Sequence, residues 1–401
     1  MQVQQQLTRT WSTLRYRMEY GGYLSNHLLH GVVALFDLGA SEEKIEEFAE
    51  CYSTKLEKAE PSHDDVMQPD VRAKFLKESK LAFESAKGLL GKRQNFDGLL
   101  ALYAAEVQEL GIDKAVKKHL PVLVGGLAGA LLHAIIQLGY AYHIGGERLV
   151  AEGLTYMHYA YLSFDEPQQV NAEELQEKKT FSRDEAMQLV RMLNGNDFLL
   201  NEMSCKLQAK PLVDLEIGGI QKRLSTMSGD PERGSSEAFN LIWDAINAYN
   251  LSKMNGVFAL DVAFWLYMMI EHNDFVILHA VTSAWALQQV EHLLEPKDHE
   301  RAWKVWLHVS LSRTRDRHSK VSSRHTKHGA AHETLVSTLK CCGSTQQIVE
   351  FDQLFDFCVA AQTEQASTFI ANHVGPSAFL MRRTLPKLQP TSTRFEQLKS
   401  S

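Results

Sequence analysis

Cysteine is scarce in this sequence, and its pattern excludes several classes of protein. The 401 residues include five cysteines, an odd number, and no two of them form a Cys-x-x-Cys pair. A disulfide scaffold, a zinc ribbon and a thioredoxin-like redox site are therefore excluded. Glycine and proline are also few, at 24 and 10 residues, which excludes collagen-like and low-complexity chains.

Positive charge is the second deficit. The 42 Lys and Arg residues are outnumbered by 49 Asp and Glu residues, which gives a formal net charge of −7. Because nucleic-acid affinity depends on clustered cationic side chains, we expect no nucleic-acid partner. Residues 1–14 are polar and Gln-rich, without the basic and then apolar order of a signal peptide. Together with the few cysteines, this favours a cytoplasmic protein.

The motifs of the common catalytic sites are missing as well. No Gly-x-Gly-x-x-Gly follows a predicted strand, so no NADPH or flavin site is recognisable. The P-loop motif, the His-Glu-x-x-His motif of zinc proteases and the Gly-x-Ser-x-Gly motif of serine hydrolases are also absent. Any catalytic function must therefore come from a different set of residues.

Hydrophobic residues recur with a helical period along most of the chain, and no alternating strand pattern is convincing. We predict an all-α fold, with one large multi-helix domain over residues 1–401 and an internal active-site cavity. A basic loop is expected at 316–330 and a flexible tail at 385–401. The predicted helices are the stripe of Leu24, Leu28, Val32 and Leu35, a helix capped by Ser41, and 95–118, 147–163, 183–194, 238–249, 257–271, 275–294, 301–311, 331–341 and 349–370.

Residues 120–146 contain no Asp, Glu, Lys or Arg and are numerous enough to cross a membrane. The stretch holds His133, however, and an imidazole is costly to place in the middle of a bilayer. We therefore predict a central buried helix rather than a membrane span, with Pro121 in its first turn. Gly125 and Gly129 would let a neighbouring helix pack closely.

The sequence is rich in histidine, with 17 residues. Some of them lie within apolar helices: His27 and, one turn later, His30, then His133 and His279. Any one alone would more often be structural, but each buried imidazole needs partners for both nitrogens. Three such helices favour a metal site inside a helical bundle, with His332 as a fourth donor and Gln137 as a partner of His133. Imidazoles without thiolates suit Fe, Zn, Cu or Ni.

The segments that hold these histidines resemble the questin oxidase-like family. The resemblance runs in order from about residue 20 to residue 342. It implies an all-helical oxygenase that oxidises polyketide-type aromatics such as anthraquinones. The matching motifs are Asn26-His27-Leu28-Leu29-His30, His133-Ala134-Ile135-Ile136-Gln137-Leu138-Gly139-Tyr140 and Leu278-His279-Ala280-Val281-Thr282.

The resemblance also implies a non-haem iron held by four histidines and a carboxylated lysine. Matched position by position, the four histidines are His27, His133, His279 and His332. The lysine departs from the family pattern, because Glu333-Thr334-Leu335-Val336 contains none. Lys340, Glu333 or water would take its place, so the identity of the metal stays open.

The leading hypothesis is an Fe(II)-dependent oxygenase that brings O2 and a small aromatic substrate together between helices. The candidate catalytic residues are His30, Glu152 and Tyr140, with His30 or Glu152 as the acid or base; Tyr140 and Tyr156 would lie near the metal. One alternative is a Baeyer–Villiger-type monooxygenase that takes electrons from NADPH. Another is a non-enzymatic helical binding or scaffold protein whose buried histidines are structural.

Overall fold

The computed structural model describes residues 12, 15–37, 40–59, 90–93, 96–167, 178–194, 196, 224–225, 237–268 and 275–313. Within these residues the protein is built from eleven α-helices, with four strands of two residues each. The all-α prediction is therefore confirmed. The predicted helices 331–341 and 349–370, the basic loop, the tail and His332 lie outside the described residues.

The helices follow one another with few strands between them. The two small sheets are an antiparallel hairpin, Glu19–Tyr20 (β1) with Leu24–Ser25 (β2), and a parallel pair, Lys179–Thr180 (β3) with Tyr249–Asn250 (β4). The helices are Leu28–Asp37 (α1), Glu42–Ser53 (α2), Phe96–Leu110 (α3), Ile112–Leu123 (α4), His133–Ile144 (α5), Glu147–Tyr159 (α6), Arg183–Asn194 (α7), Glu237–Asn247 (α8), Gly256–Met268 (α9), Phe275–Val290 (α10) and Pro296–Arg313 (α11).

Helix α5 lies at the centre of the fold, and it is buried on almost every side. It packs against α1, α6 and α10, while α3 covers α6 and α9 covers α10. Helices α8 and α11 pack together on another side of the core. A central buried helix was predicted, and α5 is that helix.

The charge-free stretch 120–146 differs from the prediction in its continuity. Helix α4 runs through Pro121 to Leu123, so proline does not begin a new helix there. Two short 3₁₀ segments, Val124–Gly126 and Gly129–Leu132, then separate α4 from α5. No helix in the described part of the chain is long and apolar enough to cross a membrane.

Glycine breaks a second predicted helix in two. Residues 95–118 were expected to form one helix, but the chain turns at Gly111, where φ is +81°. Glycine adopts this left-handed conformation without a Cβ penalty. The first predicted helix is also shorter than expected, because Leu24 lies in β2. Ser41 caps α2 as predicted, since its side chain accepts from the Lys44 amide.

Two glycines allow α5 to approach its neighbours closely. A Cβ added to Gly139 would lie 2.5 Å from Cα of Ala286 in α10. On the other side of α5, a Cβ added to Gly153 of α6 would lie 2.6 Å from Cα of Leu138. Real side chains essentially never come this near to a neighbouring backbone, so α5 is held between α6 and α10 by contacts that only glycine permits.

We expect Gly139→Ala to lower the free energy of unfolding by about 1–3 kcal/mol, because the new methyl group overlaps the α10 backbone. Within an unhindered helix the same change stabilises by about 1 kcal/mol. Urea unfolding followed by circular dichroism measures the difference, with the change of the exposed Met192 of α7 to Ala as a control that alters stability by less than about 0.5 kcal/mol. A more stable Gly139→Ala protein would contradict the close packing.

His308 in α11 is a fully buried histidine away from the other buried imidazoles. Its Nε2 donates to the Phe239 carbonyl at 3.0 Å, and its Nδ1 lies 3.3 Å from the Ser312 hydroxyl. The Trp243 ring packs 5.1 Å away. Burial lowers the pKa of His308 to about 3, so this imidazole is neutral in the folded protein.

This burial makes stability depend on pH. The folded protein keeps His308 neutral down to about pH 3, whereas the unfolded chain protonates it near its ordinary pKa of 6.5. The stability that this difference in pKa contributes is fully present above pH 6.5. It is lost as the pH falls toward 3, at up to about 1.4 kcal/mol per pH unit. We expect His308→Gln to flatten the pH dependence of urea unfolding over this window; parallel profiles for the two proteins would contradict it.

Candidate active site

Three parts of the fold bring three of the predicted ligands side by side. His27 lies directly before α1, His133 is the first residue of α5, and His279 is in α10. Nε2 of His133 is 2.8 Å from Nε2 of His27 and 3.0 Å from Nε2 of His279. We call these residues the imidazole cluster; its role in binding a metal stays a prediction.

Local hydrogen bonds hold His27 at the start of α1. The Asn26 side chain accepts from the Leu28 amide at 2.9 Å and donates to the Arg17 carbonyl at 3.1 Å. The His27 amide donates to the Tyr52 hydroxyl at 3.1 Å, and the His27 carbonyl accepts from the Gly31 amide. His27 is partly exposed, whereas the residues on either side of it are buried.

The backbone immediately before His133 is strained. Ala130, Leu131 and Leu132 have φ values of +48°, +62° and +69°. Each costs about 1–2 kcal/mol for a residue that carries a Cβ, and all three are buried. The turn places the Ala130 carbonyl 2.6 Å from Nδ1 of His133. The strained turn therefore fixes the orientation of the His133 ring through this hydrogen bond.

The bond to Ala130 decides which nitrogen of His133 carries the proton. A carbonyl oxygen only accepts, so the proton is on Nδ1 and Nε2 carries a lone pair. That lone pair faces the Nε2 atoms of both His27 and His279. A single lone pair accepts one N–H well, so only one of the two contacts can be a good hydrogen bond. A cation at this place would be attracted to all three nitrogens.

A proton is a poor candidate for that cation. Burial, followed by the neighbouring His279 and His27, lowers the pKa of His133 well below its ordinary value. A first-row metal ion suits the donors better, since nitrogen ligands about 2.0–2.1 Å from one ion lie about 3 Å apart when at right angles. Among the described residues, no group of three or more His, Cys, Asp or Glu side chains is arranged so that it could hold a metal ion. The donor chemistry fits; the described side chains do not fix where an ion would lie.

His30 lies next to the cluster and is held by Gln137. Its ring is 5.1 Å from that of His27, and its Nε2 donates to the Gln137 side-chain oxygen at 2.9 Å. The prediction that Gln137 supports His133 is therefore wrong, because Gln137 binds His30 and the Ala130 carbonyl binds His133. Burial, and then His27, lowers the pKa of His30 well below its ordinary value.

Aromatic side chains form one wall behind His30. Tyr140 of α5 stacks on the His30 ring at 4.9 Å, and the Trp285 ring of α10 lies 4.6 Å from Tyr140. Beyond Trp285, the His143 side chain pairs with Asp37 at 2.7 Å. This wall keeps water away from the imidazoles, which favours their neutral form.

Two other predicted site residues, Tyr156 and Glu152, lie in α6 and have different partners. The Tyr156 hydroxyl lies 2.7 Å from the Ser25 hydroxyl and donates to Glu19 at 2.8 Å, so it ties the β1–β2 hairpin to α6. Glu152 is buried and accepts from Arg148 at 3.2 Å, one turn earlier in the same helix. This carboxylate is therefore part of an ion pair, and its role as acid or base stays a prediction.

The groups that orient the imidazoles were not predicted from the sequence. The Ala130 carbonyl carries no sequence signal, since any residue has a backbone oxygen and none of the three positive-φ residues is a glycine. The stacking of Tyr140 on His30 was not foreseen, although both were named as site residues. His332, Glu333 and Lys340, the other predicted members of the site, lie outside the described residues.

In the described residues, helices surrounding buried imidazoles define an all-α protein with a histidine-rich internal site. A family model described as Questin oxidase-like matches residues 24–326. The chain therefore belongs to the questin oxidase-like family, and this membership makes it an oxidoreductase of the oxidase or oxygenase kind. The matched span includes the imidazole cluster and ends before His332. No curated protein matches the chain.

The strained turn predicts that a change to glycine, which usually destabilises a buried position, does not destabilise this one. We expect Ala130→Gly to leave the protein equally stable or to stabilise it by up to about 1 kcal/mol, because glycine adopts positive φ without strain. The matched control, Ala245→Gly inside α8, should cost about 1 kcal/mol. Urea unfolding of both variants measures the difference. A loss at Ala130→Gly as large as that of the control would contradict the left-handed turn.

Proposed function

We propose that this protein is a metal-dependent oxygenase that uses O2 to oxidise an aromatic, polyketide-type substrate, with Fe(II) as its ion. The observation that carries the proposal is the meeting of three ring nitrogens at 2.8 and 3.0 Å with the proton of the central one held elsewhere. Membership of the questin oxidase-like family supports the oxidative reaction.

The ion would be held by His27, His133 and His279, with His332 as a further donor. Bound by neutral imidazoles, it would keep its full positive charge and supply redox chemistry with O2. Neutral donors are what the burial of His133 favours, since the pKa of this imidazole lies well below its ordinary value. The strained turn supports this role, because it holds His133 in the tautomer whose Nε2 can donate electrons.

The surroundings of the cluster suit an apolar reactant. Tyr140 and Trp285 close one side of the site, and their rings exclude water from it. His27 is the partly exposed member of the cluster, so a substrate would approach from the start of α1. Exclusion of water protects reactive oxygen chemistry from side reactions and strengthens every charge interaction inside the site.

Metal content tests the proposal directly. Protein purified without oxygen should contain about one iron per chain, and His133→Ala should lose it because the central donor is gone. His308→Gln, which changes a buried imidazole elsewhere in the core, should retain the metal. Inductively coupled plasma mass spectrometry gives the stoichiometry, and circular dichroism checks that each variant is folded.

Folded wild-type protein without iron or another transition metal would contradict the proposal. Consumption of NADPH that depends on the protein would favour the Baeyer–Villiger-type reaction instead.

A further inference from the structure

We propose that His30 is itself a metal ligand and binds through Nδ1, in addition to the three imidazoles of the cluster. This inference rests on the proposed metal site, and it deepens that proposal by adding a donor. It assigns His30 a different role from the acid or base expected from the sequence.

The first observation is a buried nitrogen with nothing to bind. Among the described residues, Nδ1 of His30 is shielded from solvent and has no hydrogen-bond partner. The His30 side chain as a whole is about 1 % exposed. An unpaired polar atom in such a place costs about 1–3 kcal/mol, so a protein rarely keeps one without a use for it.

The second observation concerns the other nitrogen of the same ring. Nε2 of His30 donates to the amide oxygen of Gln137, which leaves the lone pair on Nδ1. His133 is arranged in the same way with its nitrogens exchanged, since it donates from Nδ1 to the Ala130 carbonyl. Metal-binding histidines typically donate their second N–H to a carbonyl or carboxylate, which fixes the tautomer and strengthens the donor.

The third observation is the position of the ring. The centroids of His27 and His30 are 5.1 Å apart, close to the 4.6 Å of His27 with His133 and the 4.4 Å of His133 with His279. The four imidazoles thus form one continuous group, in which the His30 ring is held between its Gln137 bond and the Tyr140 face.

A role as proton acceptor suits this environment less well. The protonated form of His30 would be a second cation beside a metal ion, and the contacts of its ring with the described residues, His27, Gln137 and Tyr140, include no carboxylate. A neutral donor has no such cost.

Cobalt binding tests the assignment without relying on activity. Full-length protein freed of metal with a chelator would be titrated with Co²⁺, with affinity measured by competition and ligation followed by the visible absorption of the ion. Gln137→Leu should weaken binding by about 10–100-fold. His30→Phe, which keeps a ring against Tyr140, should weaken binding more than Gln137→Leu and change the Co²⁺ spectrum. His308→Gln should bind Co²⁺ as wild type does.

A second measurement needs no substitution and covers the case in which His30→Phe fails to fold. In wild-type protein with ¹⁵N-labelled histidine, Zn²⁺ should produce one nuclear magnetic resonance signal typical of binding through Nδ1, beside those of binding through Nε2.

The outcomes separate the two proposals. If wild type binds Co²⁺ and His133→Ala does not, while folded His30→Phe matches wild type, only the role of His30 is overturned. Zinc spectra with Nε2 ligands alone overturn it equally. If wild type binds neither ion, the metal site and this inference both fail.

Discussion

The proton on Nδ1 of His133 is the detail on which the rest of the site depends. The Ala130 carbonyl holds it there, at 2.6 Å, and so decides that Nε2 faces its neighbours as an electron donor. With the proton on Nε2 instead, that nitrogen would have no free lone pair to offer to an ion between it, His27 and His279. A backbone oxygen in a strained turn thus separates a structural histidine group from a candidate metal centre.

Packing at a larger scale serves the same geometry. Gly139 and Gly153 let α5 approach α10 and α6 backbone to backbone, which fixes the distance between the helices that carry His133 and His279. The β1–β2 hairpin is tied to α6 through Tyr156, and the chain leads from that hairpin directly into His27. Each of the three imidazoles is therefore attached to a tightly packed part of the core that has little freedom to move.

Side-chain chemistry made part of this site predictable from the sequence. Histidines inside apolar helices are costly, which singles out His27, His133 and His279, and the fold places them together. Features that depend on the backbone were not predictable in this way. The stretch 120–146 was expected to be one helix, because Ala130 and the two leucines after it are ordinary helix formers that nothing local marks as left-handed. Gln137 was given the wrong histidine because helical spacing points to its own helix, whereas its partner comes from α1.

The imidazole cluster is assembled from distant parts of the chain, since His27 is 106 residues from His133, which is 146 residues from His279. Bringing them together requires loop closures that an unfolded chain does not make spontaneously, so the cluster exists only when the helices have docked. An ion that needs all three imidazoles would consequently bind the native state alone and would raise the stability of the whole fold in proportion to the logarithm of its free concentration.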